Sequence, residues 1–137
     1  MKTFLDSSAF AKRFVEEEGS QQVEDICREA SMLGLSVLCI PEIISALNRR
    51  LREKSLTLQD YSLAKQRLAE DVQDIEMINI TPAIIAQSTL LLEASPLRAM
   101  DALHIACALE WQADLFVSSD RQQVAAAKRT GLRARYL

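Results

Sequence analysis

Glycine, proline and cysteine each occur only three times among the 137 residues, and histidine and tryptophan once each. So few glycines and prolines exclude an open, loop-rich chain and imply regular elements joined by short connections. Cys27, Cys39 and Cys107 are odd in number and far apart, with no Cys-x-x-Cys pair to suggest a zinc or redox site. Each lies in an apolar pattern, as expected of buried thiols in a reducing cytoplasm. Long hydrophobic runs are also missing: Pro41, Glu42, Pro82 and Gln87 break the longest, so no segment is suited to span a bilayer. Asp6, Lys12 and Arg13 interrupt the N-terminal stretch before a signal-peptide core can form, so a cytoplasmic location is expected. Basic residues are in deficit, 16 against 19 acidic for a formal net charge of −3, which argues against binding nucleic acid through a basic surface. That balance leaves room for an enzyme whose acids gather at a metal site. Aromatics make up 5% and form no stacking-platform motif.

What is present fits one soluble α/β domain over residues 1–137, with 49% hydrophobic and 26% charged residues. The run 2–5 reads as a strand ending on Asp6. A helix follows from Ser7 and Ser8, with Phe10 and Phe14 on one face and Gly19 as its stop. A second helix is expected from Ser20 to Leu33, ended by Gly34, and a buried strand over 36–40. Pro41 then opens a helix with Glu42 in its first turn and a basic far end at Arg49, Arg50, Arg52 and Lys54. Ser55 to about Asp74 reads as another helix, entered near Thr57, and a strand follows over 76–80. Thr81-Pro82 caps a helix expected to turn Ile85, Ser88, Thr89 and Leu92 inward. The next helix carries Asp101 in its first turn and Ala99, Leu103, Ala106, Cys107 and Leu109 as apolar positions. Strand 115–117 leads to Ser118-Ser119-Asp120, a helix over 121–130 stopped by Gly131, and an edge strand over 133–136. This βα alternation predicts a mostly parallel sheet.

Asp6, Glu42, Asp101 and Asp120 each follow a predicted strand or open a helix. Singly, each is accounted for by helix capping. If the strands are parallel, however, all four reach one sheet edge, the place where such folds keep ligand sites. Bare carboxylates repel by about 4 kcal/mol per pair at ~4 Å with an effective dielectric near ~20. A converged set therefore needs a shared proton or a cation. Oxygen-only ligands favour Mg²⁺ or Mn²⁺, and nothing has the spacing zinc requires. Carboxylate-held divalent ions suit phosphodiester hydrolysis. Ser7 and Ser8 have no evident base partner, since the only histidine lies on another element.

The segments FLDSSAFAKRF, PEIISALNRR, MDALHIACAL and LFVSSD carry a resemblance over essentially the whole chain. In them the chain resembles PIN-domain ribonucleases, in particular the small VapC-type toxins of bacterial and archaeal toxin–antitoxin pairs. Asp6, Glu42, Asp101 and Asp120 match the family's acids in order. Ser8 matches its small hydroxyl and Lys12 a frequent basic residue on the first helix. The resemblance implies a five-stranded sheet of order 3-2-1-4-5, Mg²⁺ or Mn²⁺ dependence, and cleavage of single-stranded RNA. It also implies a cognate antitoxin protein that covers the site, frequent homodimers, and the four acids as the metal-holding, catalytic set.

His104 lies three residues after Asp101 on the same helical face, and the resemblance places it beside the acids more than among them. Arg98 and Arg121 flank two of the acids; they read equally as guanidinium forks for phosphate or as plain surface arginines. A receiver domain, the main rival, wants a phosphoacceptor Asp after the third strand, where Asn79-Ile80-Thr81 stands. A dehalogenase-type phosphatase wants Asp-x-Asp after the first strand, where Ser8 takes the second place. The remaining alternatives are a PIN nuclease that is not a toxin, and a PIN-like binding module without catalysis; the complete set of acids counts against the latter.

Overall fold

In β1 (Lys2–Leu5) every residue after Lys2 is buried, and the alternation of a strand sends Phe4 to one face of the sheet and Leu5 to the other. A computed structural model describes residues 1–137. After β1 come α1 (Ser7–Phe10), α2 (Ser20–Glu29), β2 (Met32–Ser36), α3 (Cys39–Arg52), α4 (Leu58–Asp71) and β3 (Glu76–Ile78). Then follow α5 (Pro82–Ala94), α6 (Ala99–Glu110), β4 (Leu115–Ser118), α7 (Arg121–Arg129) and β5 (Ala134–Tyr136). The sheet has five strands in the order β3-β2-β1-β4-β5, as the resemblance implied, and every neighbouring pair is parallel. No helix is long and apolar enough to cross a membrane.

The two faces carry separate cores. Leu5, Phe10, Val23, Leu35, Ile43, Leu47, Leu68 and Val117 fill one. Phe4, Ile84, Ile105 and Phe116 fill the other with a row of alanines on α6 and α7, whose small side chains let those helices lie close to the sheet. Each fully buried Phe or Leu contributes about 1.5–3 kcal/mol relative to an exposed one.

Three expectations need correction. The first helix is a single turn continued by a 3₁₀ turn, Ala11–Arg13, and it does not reach Gly19. Lys12 folds back to donate to Glu17 (2.9 Å) and to the Glu18 carbonyl (2.7 Å), and Gly19, at φ 93°, starts α2. The second strand lies four residues earlier than expected. Gly34 sits inside it, against Trp111, while Ser36 Oγ accepts the Leu38 N–H and turns the chain into α3 two residues before Pro41. Glu42 is therefore six residues past a strand, not two. On α5 the buried residues are Ile84, Ser88 and Leu91, and Ile85 and Leu92 are exposed; the inward face is turned by about one residue.

Candidate active site

Because β1 and β4 are parallel neighbours, Asp6, one residue past β1, and Asp120, two past β4, emerge at the same edge. Asp6 is fully buried and caps α1. Its Oδ1 accepts from Ala9 N (2.9 Å) and Ser8 Oγ (2.7 Å), and its Oδ2 from Ser118 Oγ (2.6 Å). Burial pushes its pKa up, against the hydrogen bonds from Ser118, Ser8 and Ala9. Asp120 caps α7 through Oδ1, which accepts from Gln122 N and Gln123 N. Ser118 joins the two acids: its Oγ donates to Asp6 and accepts the Asp120 N–H at 3.0 Å.

Asp101 is buried in the first turn of α6, where Gln123 Nε2 donates to Oδ1 (3.0 Å) and Arg98 Nε to Oδ2 (3.2 Å). Arg98 has its pKa raised by that hydrogen bond and the Asp101 charge first, then by Asp120 and Glu42. Three of the four carboxylates thus lie within electrostatic reach of one guanidinium. Glu42 stands in the first turn of α3, and its Oε1 accepts from Ser7 Oγ (2.7 Å) and His104 Nε2. Burial acts to raise its pKa, but the bonds from His104 and Ser7 outweigh it and hold the carboxyl below its ordinary value.

The sequence pattern left Ser7 without a base, yet folding sets its Oγ 3.2 Å from His104 Nε2. The trio is still no nucleophilic triad. A triad needs the acid on Nδ1 and the hydroxyl on Nε2. Here both meet Nε2, and Nδ1 is buried with no partner.

The donor set suits a hard divalent cation in its chemistry. All four acids supply oxygen, and the partners of buried Asp6 are hydroxyls and an N–H, none of them cationic. The hydrogen bonds to Glu42 all fall on Oε1 and those to Asp120 all on Oδ1, leaving Oε2 and Oδ2 available. No three acidic, histidine or cysteine side chains are drawn together tightly enough to enclose an ion. Mg²⁺ is usually held by one or two carboxylates and keeps several waters, so a site for it does not require the side chains to enclose it.

Of the other residues singled out by sequence, Ser8 lies in the site, holding Asp6 and accepting the Ser119 N–H at 3.0 Å. Arg121 is exposed at the start of α7, its guanidinium 4.1 Å from the centre of the Tyr136 ring. Lys12 is committed to the loop at Glu17 and Glu18. Sequence reasoning missed Ser7, Ser118 and Gln123. The two serines had a signal, hydroxyls beside or two before an acid at a strand end. Gln123 had none, because its side chain reaches across to an acid 22 positions away.

The PIN-domain family profile matches residues 3–129 of the chain. No curated protein sequence matches it. Among solved structures, the chain is similar to VapC20 of Mycobacterium tuberculosis, described as a sarcin–ricin-loop-cleaving toxin. The TM-score is 0.71 at 16% identity, over 90% of this chain and 94% of that one. It is also similar to VapBC2 of Rickettsia felis, solved with a DNA fragment from the promoter: TM-score 0.71, 11% identity, over 100% and 99% of the two chains. PAE2754 of Pyrobaculum aerophilum gives a TM-score of 0.69 at 18% identity, over 98% of this chain and 83% of that one. At these identities the structural likeness establishes the fold. The profile match over nearly the full length establishes more: the chain belongs to the PIN-domain family, a family of nucleases.

Proposed function

We propose that this chain is a Mg²⁺- or Mn²⁺-dependent endoribonuclease that hydrolyses single-stranded RNA, and that it is the toxin of a toxin–antitoxin pair. What supports the nuclease reading is that Asp6 and Asp120 leave neighbouring parallel strands at one edge of the sheet and are joined by Ser118, in a chain whose family is nucleolytic. Gln123 on α7 ties Asp101 to that edge, and Ser7, next to Asp6, ties Glu42 to it. These four would hold the ion directly or through waters. A divalent ion there supplies Lewis acidity toward phosphate oxygens and lowers the pKa of a coordinated water.

The chain's own groups account for the rest. The Arg98 side chain is 83% exposed and engages Asp101 through Nε, so its other N–H groups are free to take a phosphate as a fork. Arg121 lies next to Asp120 and offers a second such contact. Ser8 and Ser118 fix the Asp6 carboxylate, and Gln123 fixes Asp101. With no protein nucleophile in the site, water attacks phosphorus and the 3′ oxygen leaves. The ribose 2′-hydroxyl is not required.

The toxin reading is supported by similarity to structures described as toxin–antitoxin complexes, such as one from Klebsiella pneumoniae. A groove lined by Ser8, Val15, Ile43, Leu47, Arg50 and Ser119 adjoins the site and offers an antitoxin segment a path to the acids. Arg50, at the basic end of α3, is paired there with Glu17 at 3.1 Å. We further propose a cytoplasmic homodimer. Two experiments test the function. Purified protein should cleave unstructured RNA with Mn²⁺, and Asp101→Asn should not; equal cleavage by both would remove these acids from the chemistry. Co-expression with a small protein from the adjacent reading frame should give an inactive complex. A chain harmless in cells with no such partner would remove the toxin reading and leave the nuclease.

A further inference from the structure

We propose that Ser7 and His104 are positioning residues for Glu42, holding Oε1 of its carboxylate so that Oε2 faces the divalent ion unencumbered. The inference rests on the metal-dependent reading above and assigns a function to two residues that reading does not need.

Three helices meet here. Ser7 is the first residue of α1, Glu42 is in the first turn of α3, and His104 is one turn beyond Asp101 on α6. Glutamate is a long, flexible side chain, and this one is about a third exposed, so it would otherwise sample several rotamers. Two donors converge on the same oxygen: Ser7 Oγ at 2.7 Å and the His104 ring through Nε2. Both bonds are to an acceptor expected to carry charge, the stronger kind. His104 is 2% exposed, and its other nitrogen, Nδ1, has no partner. The buried ring therefore directs its one satisfied polar atom at Glu42, and an apolar residue of similar size would fill the space without orphaning Nδ1. As a packing residue alone, histidine is a poor choice; as a donor fixing Glu42 it has a reason to be there. Outer partners of metal-holding side chains commonly act in this way.

The test is Mn²⁺ binding by titration calorimetry, with metal-free circular dichroism as the folding control. Compared with wild type are Ser7→Ala, His104→Leu, His104→Gln and Glu42→Gln. Ser7→Ala and His104→Leu should weaken Mn²⁺ by about tenfold to a hundredfold. His104→Gln keeps an N–H where Nε2 stood and should recover most of the loss, which a role in packing alone would not produce. If His104→Leu does not fold, Ser7→Ala and His104→Gln decide. Folded Ser7→Ala with wild-type affinity, beside a weakened Glu42→Gln, overturns this inference alone. Unchanged affinity in Glu42→Gln overturns it too, by removing Glu42 from the ion. Wild-type protein that binds no Mn²⁺ overturns the parent reading as well.

Discussion

Gln123 Nε2 lies 3.0 Å from Asp101 Oδ1, while the backbone N–H of the same glutamine lies 3.4 Å from Asp120 Oδ1. One residue of α7 thus ties together two acids carried by different helices. Its own Oε1 is buried without a partner. Gln123→Leu would leave Asp101 Oδ1 unpaired in a buried site, a loss in the range of about 1–3 kcal/mol. The substitution also removes the unpaired Oε1, which offsets part of that loss. We expect a net destabilisation of about 1 kcal/mol by urea unfolding, with cleavage falling much further than stability. Equal retention of both would show that Asp101 needs no orientation from α7.

Asp6 gives the opposite pairing of stability and activity. Its folded-state pKa is raised by burial. The folded protein therefore keeps this proton at pH values where the unfolded chain has lost it. Its stabilising effect is full below the unfolded pKa, near ~3.9, and is lost as pH rises through the folded value. Asp6→Asn retains a capping oxygen and removes the charge. The metal-free variant should melt above wild type at neutral pH, the gap closing toward pH ~4, while cleavage is lost. Glu42, lowered in the fold, works the other way: its contribution is present above its unfolded pKa and disappears as pH falls through the folded one. A lower melting temperature for Asp6→Asn at neutral pH would contradict the reading of Asp6 as a buried carboxyl whose hydrogen bonds do not fully offset its desolvation.

A Cβ at Gly34 would stand 2.7 Å from a Trp111 ring carbon, closer than side chains pack. Gly34→Ala should therefore cost about 1–3 kcal/mol, the range for overpacking. A second change, Trp111→Leu, should recover part of that loss in the double variant. Strictly additive losses in the two variants would show that β2 does not rest on the indole.

Gly34 also shows where the sequence misleads. A glycine after an amphipathic stretch has the signature of a helix stop, and Val37-Leu38-Cys39-Ile40 that of a buried strand. Short apolar runs read alike for strands and for buried helix starts. What decides is Ser36, whose hydroxyl accepts the Leu38 N–H, and no periodicity carries that. By contrast β1, β4 and α6 were legible from their apolar pattern, and α4 and α7 from their caps as well: Thr57 and Asp120 accept N–H bonds where expected. The sheet order came from the resemblance, since local patterns do not encode which strands are neighbours. Asp6 and Asp120 were legible as acids at strand ends, Asp101 and Glu42 as acids in first turns. Ser7 and Gln123 act through contacts 35 and 22 positions away, which only the fold creates.

Mn²⁺ at about a hundred times its dissociation constant should stabilise the protein by roughly 2.7 kcal/mol. Thermal melting with and without the ion reads this directly. Asp101→Asn should lose most of the shift; an undiminished shift would place the ion away from the four acids.

Hydrolysis by water at an acid-held metal leaves its mark on the ends of the products. End-labelled single-stranded RNA is digested with Mg²⁺ or Mn²⁺, with EDTA, and with Asp6→Asn and Asp101→Asn in parallel, and the new termini are mapped. Attack by water at the metal should give 5′-phosphate and 3′-hydroxyl ends with wild-type protein and metal, and none in the other reactions. Termini carrying 2′,3′-cyclic phosphate, or cleavage undiminished by EDTA, would contradict it and point to attack by the ribose 2′-hydroxyl.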